Sequence, residues 1–119
     1  MPKAIFAYGP GATLSQDLEP EYIAEGPDGT AYVTLQEHNA FAIIDIRAAR
    51  VKQLVHLGFK DHRLAENAFD ASDRDGGIKI LTWPVKGMYQ PDAVVSLKKG
   101  RHTYFITAKE GDVREWGLQ

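Results

Sequence analysis

The sequence predicts an all-β fold: a propeller-like antiparallel meander of about one full blade plus parts of two others, with a long loop inserted between them. Three observations carry this reading. Short runs of β-branched and aromatic residues recur between Gly-, Pro- and Asp-rich turn signals. The strand rhythm breaks over Gly58–Met88 and returns at Tyr89. Positions in the first strand-rich stretch reappear, in order, in the second.

Taken along the chain, Lys3–Tyr8 is a short apolar run that ends at Gly9-Pro10-Gly11, which reads as strand then turn. Ala12–Glu19 is polar loop, with Ser15–Glu19 able to make one helical turn. Tyr22-Ile23-Ala24 begins the strands. Gly26-Pro27-Asp28-Gly29 then turns the chain, because Pro presets φ, Asp bonds local backbone and Gly accepts positive φ. Ala31–Leu35 is the next strand, Glu37-His38-Asn39 a turn, Phe41–Ile46 a mostly buried strand, and Val51–Leu57 a fourth. Short turns between four such runs give an antiparallel meander. After the interruption, Asp92–Leu97 and Thr103–Ala108 flank a turn at Lys98-Lys99-Gly100, and Val113–Gln119 begins one more strand beyond Glu110-Gly111-Asp112. The divisions are therefore 1–17, strand and loop of a preceding blade; 18–57, a full blade; 58–88, an inserted Asp-rich loop; and 89–119, the start of the next blade.

At 119 residues the chain is at most one domain, too short for a whole propeller of four or more blades at ~40–45 residues each. It has no cysteine, which excludes disulfides, Cys-based zinc sites, iron–sulfur clusters and thiol nucleophiles. Fourteen Lys+Arg against 16 Asp+Glu leave a formal charge of −2, which argues against a nucleic-acid-coating protein. No apolar run approaches the ~18–20 residues of a membrane span, so no membrane span is expected. The opening Met1–Gly9 is too short and interrupted to read as a signal peptide, and localisation is left unassigned from the residues alone.

The internal match is specific in its order. Leu18-Glu19-Pro20-Glu21 corresponds to Tyr89-Gln90-Pro91-Asp92, and Thr34, Glu37 and Asn39 correspond to Thr107, Glu110 and Asp112. The second hairpin is two residues longer, which fits a longer loop around Gly100. Loops that precede an inner strand lie near a propeller's central channel. Glu19, Glu21 and Asp92, joined by Glu37 and Glu110, are therefore candidate channel-mouth carboxylates that could bind a cation; ordinary solvated loops are the alternative.

The Asp-rich loop offers a second candidate. Asp70, Ser72, Asp73 and Asp75 place hard oxygen donors within six residues, a composition suited to Ca²⁺ or another divalent cation. Set as an EF-hand, Asp73 and Asp75 take the third and fifth positions and Gly76 the sixth. The first and twelfth would then be Ala71 and Thr82, so the chelating ends are missing. The competing reading is a turn whose carboxylates bond nearby backbone N–H groups. Lys60-Asp61-His62-Arg63 could supply acid–base chemistry but reads more simply as a solvated loop tip. His38 reads as hydrogen-bonded or exposed, and Trp83 and Tyr89 as packing anchors.

Several segments together resemble the choice-of-anchor I family: Leu18–Ala24, Ala31–Glu37, Leu57–His62, Asp70–Gly76, Trp83–Asp92 and Glu110–Glu115. Tyr32-Val33-Thr34 is also similar to the YVTN class of surface-layer repeats. The chain departs from the family pattern at Gly26, where Ser or Thr is usual, and in length, since it matches only an internal slice. The resemblance implies a β-propeller that is secreted or displayed on the cell surface. Some relatives are joined to metallophosphatases. Two functions follow as expectations. One is a non-enzymatic surface binding or scaffold module, with calcium stabilisation as a form of it. The other is a metal-dependent phosphoesterase of the alkaline phosphatase or phytase-like propeller kind, or a fragment without independent activity. Unpaired blade flanks predict a homo-oligomer or neighbouring blades as partners.

Overall fold

The computed structural model describes residue 11 and residues 13–111. The sequence-predicted strands at Lys3–Tyr8 and Val113–Gln119 lie outside the described residues. Among the described residues, those up to 57 and from 89 onward form one compact unit, and residues 58–88 form another.

The first unit opens with one helical turn, α1 (Leu14–Asp17). Thr13 sits at its N-cap, and its N–H donates to Gln16 Oε1 at 3.0 Å. Four strands follow: β1 (Ile23–Glu25), β2 (Thr30–Leu35), β3 (Ala40–Asp45) and β4 (Arg50–His56). They pair in sequence order, all antiparallel, as a four-stranded meander. A bulge between Ile43 and Ile44 shifts the β3–β4 register. Two longer strands, β7 (Pro91–Lys99) and β8 (His102–Lys109), make an antiparallel hairpin. The architecture is thus all-β with antiparallel sheets, as the turn-punctuated sequence predicts. The hairpin runs further than the apolar runs suggest, because Lys98 and Lys99 stay in the ladder and only Gly100-Arg101 turn. Gly100 has φ 62, the left-handed backbone that a two-residue hairpin loop requires at its first central position.

Alternation along β2 and β3 gives the meander two apolar faces. One gathers Val33, Leu35, Ala40 and Ala42, with Leu18, Ile44 and Leu54 packed on them. The other gathers Ala24 and Phe41 against Val94 of β7, with Tyr32, Val55, Leu57 and Phe105 around them. Tyr32 stacks on Phe105 with ring centroids 3.8 Å apart, and its edge meets Phe41. Tyr32 and Phe105 occupy corresponding positions of the two repeats. Gly26 belongs to the same arrangement: a Cβ there would lie 2.6 Å from the Tyr32 ring. The absence of a side chain at Gly26 leaves room for the ring.

Residues 58–88 are held by local bonds rather than by a large core. Strands β5 (Lys60–Asp61) and β6 (Lys86–Gly87) pair antiparallel, and Phe69 bridges Leu81. The His62 ring lies 4.5 Å from that of Phe69, which also meets Trp83. Trp83 Nε1–H donates to Phe69 O at 3.0 Å. A Cβ on Gly87 would come 2.7 Å from His62 Nε2, so only glycine leaves the imidazole its place.

Candidate functional site

The turn between β2 and β3 is the most buried polar feature among the described residues. Thr34, Gln36, His38 and Asn39 are all buried there, and so is Asp17 at the end of α1. A polar turn normally faces water. This one is enclosed because it makes bonds on two sides. His38 Nε2 lies 3.3 Å from Asp17 Oδ2, with the side chains 0 and 2% exposed. Asn39 has φ 50, a conformation asparagine tolerates better than most residues, which turns its side chain toward the second repeat. Its Oδ1 accepts the backbone N–H of Tyr89 at 2.8 Å and of Gln90 at 3.1 Å. Its carbonyl accepts Leu57 N–H at 3.0 Å. One side chain therefore clasps the chain where it enters β7. The sequence marked the turn and treated His38 as hydrogen-bonded or exposed; it did not mark Asp17 or Asn39 as its buried partners.

The candidate channel-mouth carboxylates share one electrostatic neighbourhood. Burial raises the Glu21 carboxyl above its ordinary value, and the charges of Glu37, Asp92, Glu19 and Glu110 raise it further, in that order. Glu19, Glu21 and Glu110 are exposed, whereas Glu37 and Asp92 are half-buried. Register brings these carboxylates together. The N–H of Glu21 donates to Thr34 O at 3.2 Å, and Pro91 lies opposite Lys109, so both repeats put their acids at the same end of a hairpin. A raised carboxyl pKa means the folded state holds this proton more tightly than the unfolded chain does. The stabilising contribution is full below the unfolded pKa and is lost as pH rises through the folded one. Glu21→Gln is therefore expected to raise Tm at pH 7 by about one to three degrees, with the gain fading at high salt and below pH ~4. Melting curves across pH and ionic strength check this.

The Asp-rich loop spends its oxygens locally. Asp70 Oδ1 accepts Ser72 N–H at 3.3 Å, and Asp70 Oδ2 accepts Lys79 N–H at 3.1 Å. Ser72 Oγ accepts Arg74 N–H at 3.2 Å. Asp75 pairs with Lys79 at 2.9 Å, and Asp73 with Arg74 at 3.6 Å. Among the described residues, no group of three or more His, Asp or Glu side chains is placed to hold a metal ion.

Lys60–Arg63 is more structured than a solvated loop tip. Asp61 Oδ1 accepts Arg63 Nε–H at 3.0 Å and Asp61 Oδ2 accepts Arg63 Nη2 at 2.6 Å, and these bonds hold the carboxyl well below its usual range. His62 Nδ1 lies 2.7 Å from Asn67 O, which assigns the proton to Nδ1. The imidazole is thereby fixed in a structural bond.

An open cavity of about 330 Å³ lies beside the clasp, lined by Phe41, Leu57, Tyr89, Phe105, Thr107 and Lys109. Lys109 Nζ sits 4.1 Å over the Tyr89 ring, a cation–π contact that ties the end of β8 to the start of β7. Tyr89 is thus an anchor within the sheet unit, and Trp83 one within residues 58–88.

No helix among the described residues is long and apolar enough to cross a membrane. No curated protein and no solved structure matches the chain significantly. The profile of the choice-of-anchor I domain matches residues 3–119. With the all-β meander and its repeated Pro-acid and Thr-x-x-Glu positions, that match places the chain in the choice-of-anchor I domain family.

Proposed function

We propose that the chain is a surface-associated, non-enzymatic β-sheet module that serves as a scaffold or binding unit. One observation carries this reading: the side chains that could do chemistry are committed to architecture. Asp17 and His38 bond each other inside the turn, Asn39 holds backbone N–H groups, and His62 is bonded to Asn67 O. Asp61, Asp73 and Asp75 are paired with neighbouring cations. Family membership supports the surface association. In intact host cells, a membrane-impermeant amine label is expected to modify the protein at its exposed lysines; protection until lysis would overturn the surface reading.

A calcium-stabilised form of this reading rests on Asp70, Ser72, Asp73 and Asp75. A cation there would have to displace Lys79 from Asp75 and Arg74 from Asp73. A rise in Tm with millimolar Ca²⁺ that EDTA reverses is the result that form requires; an unchanged Tm removes it. The phosphoesterase alternative needs a bound divalent cation and also turnover of a phosphate monoester. The scaffold reading expects no turnover with Ca²⁺, Mg²⁺ or Zn²⁺ present.

A further inference from the structure

The hairpin β7–β8 has two unlike faces. Val94 and Phe105 face the meander. The other face carries Val95, Leu97, Tyr104 and Ile106, which are 59, 51, 50 and 55% exposed. Register pairs Val95 with Ile106 and Leu97 with Tyr104, so the four side chains form one continuous apolar patch. An exposed hairpin face normally alternates to polar residues, and such a patch marks an interaction surface.

Charge is segregated along the same hairpin. Lys98, Lys99 and Arg101, all exposed, crowd its tip. Asp92 and Glu110 mark its other end, beside Glu19, Glu21 and Glu37. The apolar patch is centred on the Ser96–Phe105 pair. Asp92 and Gly100 each lie four residues from Ser96, roughly 13 Å along the strand in opposite directions. The basic and acidic ends are therefore nearly equidistant from the middle of the patch.

From this symmetry we infer that the outward face of β7–β8 docks a second copy of this chain, antiparallel across a two-fold axis through the patch. A rotation about that axis sets Leu97 and Tyr104 of one copy over Val95 and Ile106 of the other. It also brings each basic tip onto the other copy's acidic end. The face supplies both halves of the charge match, which selects another copy over an unrelated apolar surface. Parallel stacking would set lysine on lysine. The hairpin offers less than the ~800 Å² per partner of a standard interface, so the dimer is weak and salt-sensitive.

Sedimentation of the full chain from about 10 μM to about 1 mM tests this at low and high salt. A monomer–dimer equilibrium that salt weakens is expected. The tip variant Lys98→Glu/Lys99→Glu/Arg101→Glu and the base variant Glu21→Lys/Glu110→Lys should each lose at least tenfold in self-association. Mixed together, the two should associate with each other, since each then carries the charge the other lacks. Ile106→Thr should weaken the dimer with the far-ultraviolet circular dichroism spectrum unchanged, which separates docking from unfolding. A monomer at every concentration would overturn the inference. So would charge-reversed variants that dimerise like the parent, a mixture that fails to associate, or a dimer indifferent to Ile106→Thr, which would point to pairing through strand edges.

Discussion

Asn39→Ala is expected to lower unfolding stability by about 2–4 kcal/mol. Three costs add in the same direction. The N–H groups of Tyr89 and Gln90 lose their acceptor, and Gln90 is buried. Alanine at φ 50 is less favourable than asparagine. The substitution also opens a void at a site that is 0% exposed. Asn39→Gly separates these costs, because it accommodates the backbone but still removes the acceptor. It should recover only part of the loss. Chemical denaturation of the three proteins gives the order parent, then glycine, then alanine. Equal stability of the alanine variant and the parent would mean that Asn39 does not join the repeats.

Disruption of the Asp17–His38 pair is the second large effect. Both side chains are buried, so removal of either takes a bond from the other away from water. Asp17→Ala and His38→Ala should each cost about 2–4 kcal/mol. The double variant should cost clearly less than the two losses added together, since the bond between the two side chains is lost only once. Additive losses would contradict direct coupling. The pair ties α1 to the β2–β3 turn, so early melting of the segment before β1 should accompany either single change.

These two effects show where the sequence was readable and where it was not. Strands β2, β3, β4, β7 and β8 stand out because β-branched and aromatic residues alternate between strong turn signals. The acidic positions Glu21, Glu37, Asp92 and Glu110 stand out because they fall at corresponding places in two copies of one unit, and Glu19 because it precedes the first copy's proline. By contrast, β5 and β6 have two residues each, too few for any period to show. Their pairing depends on the His62, Phe69 and Trp83 rings and on Gly87, which are far apart in sequence. The Asp17–His38 and Asn39–Gln90 contacts span 21 and 51 residues. Nothing local in Gln36-Glu37-His38-Asn39 distinguishes a buried polar turn from a solvated one. Its burial follows from the packing of the second repeat beside the first. The one local hint is an asparagine at the last position of a tight turn, where the left-handed backbone aims its amide away from the sheet it closes.

Hydrogen exchange resolved to single amides tests most directly whether polar side chains join the two repeats into one scaffold. The amides of Tyr89 and Gln90 precede β7 and lie outside its ladder with β8, so their protection depends on Asn39. In the parent protein they are expected to exchange as slowly as the central β2–β3 amides, and Asn39→Ala should speed them by at least tenfold. Exchange of both at the rate of exposed loop amides in the parent protein would contradict the clasp and, with it, the architectural role assigned to the buried turn.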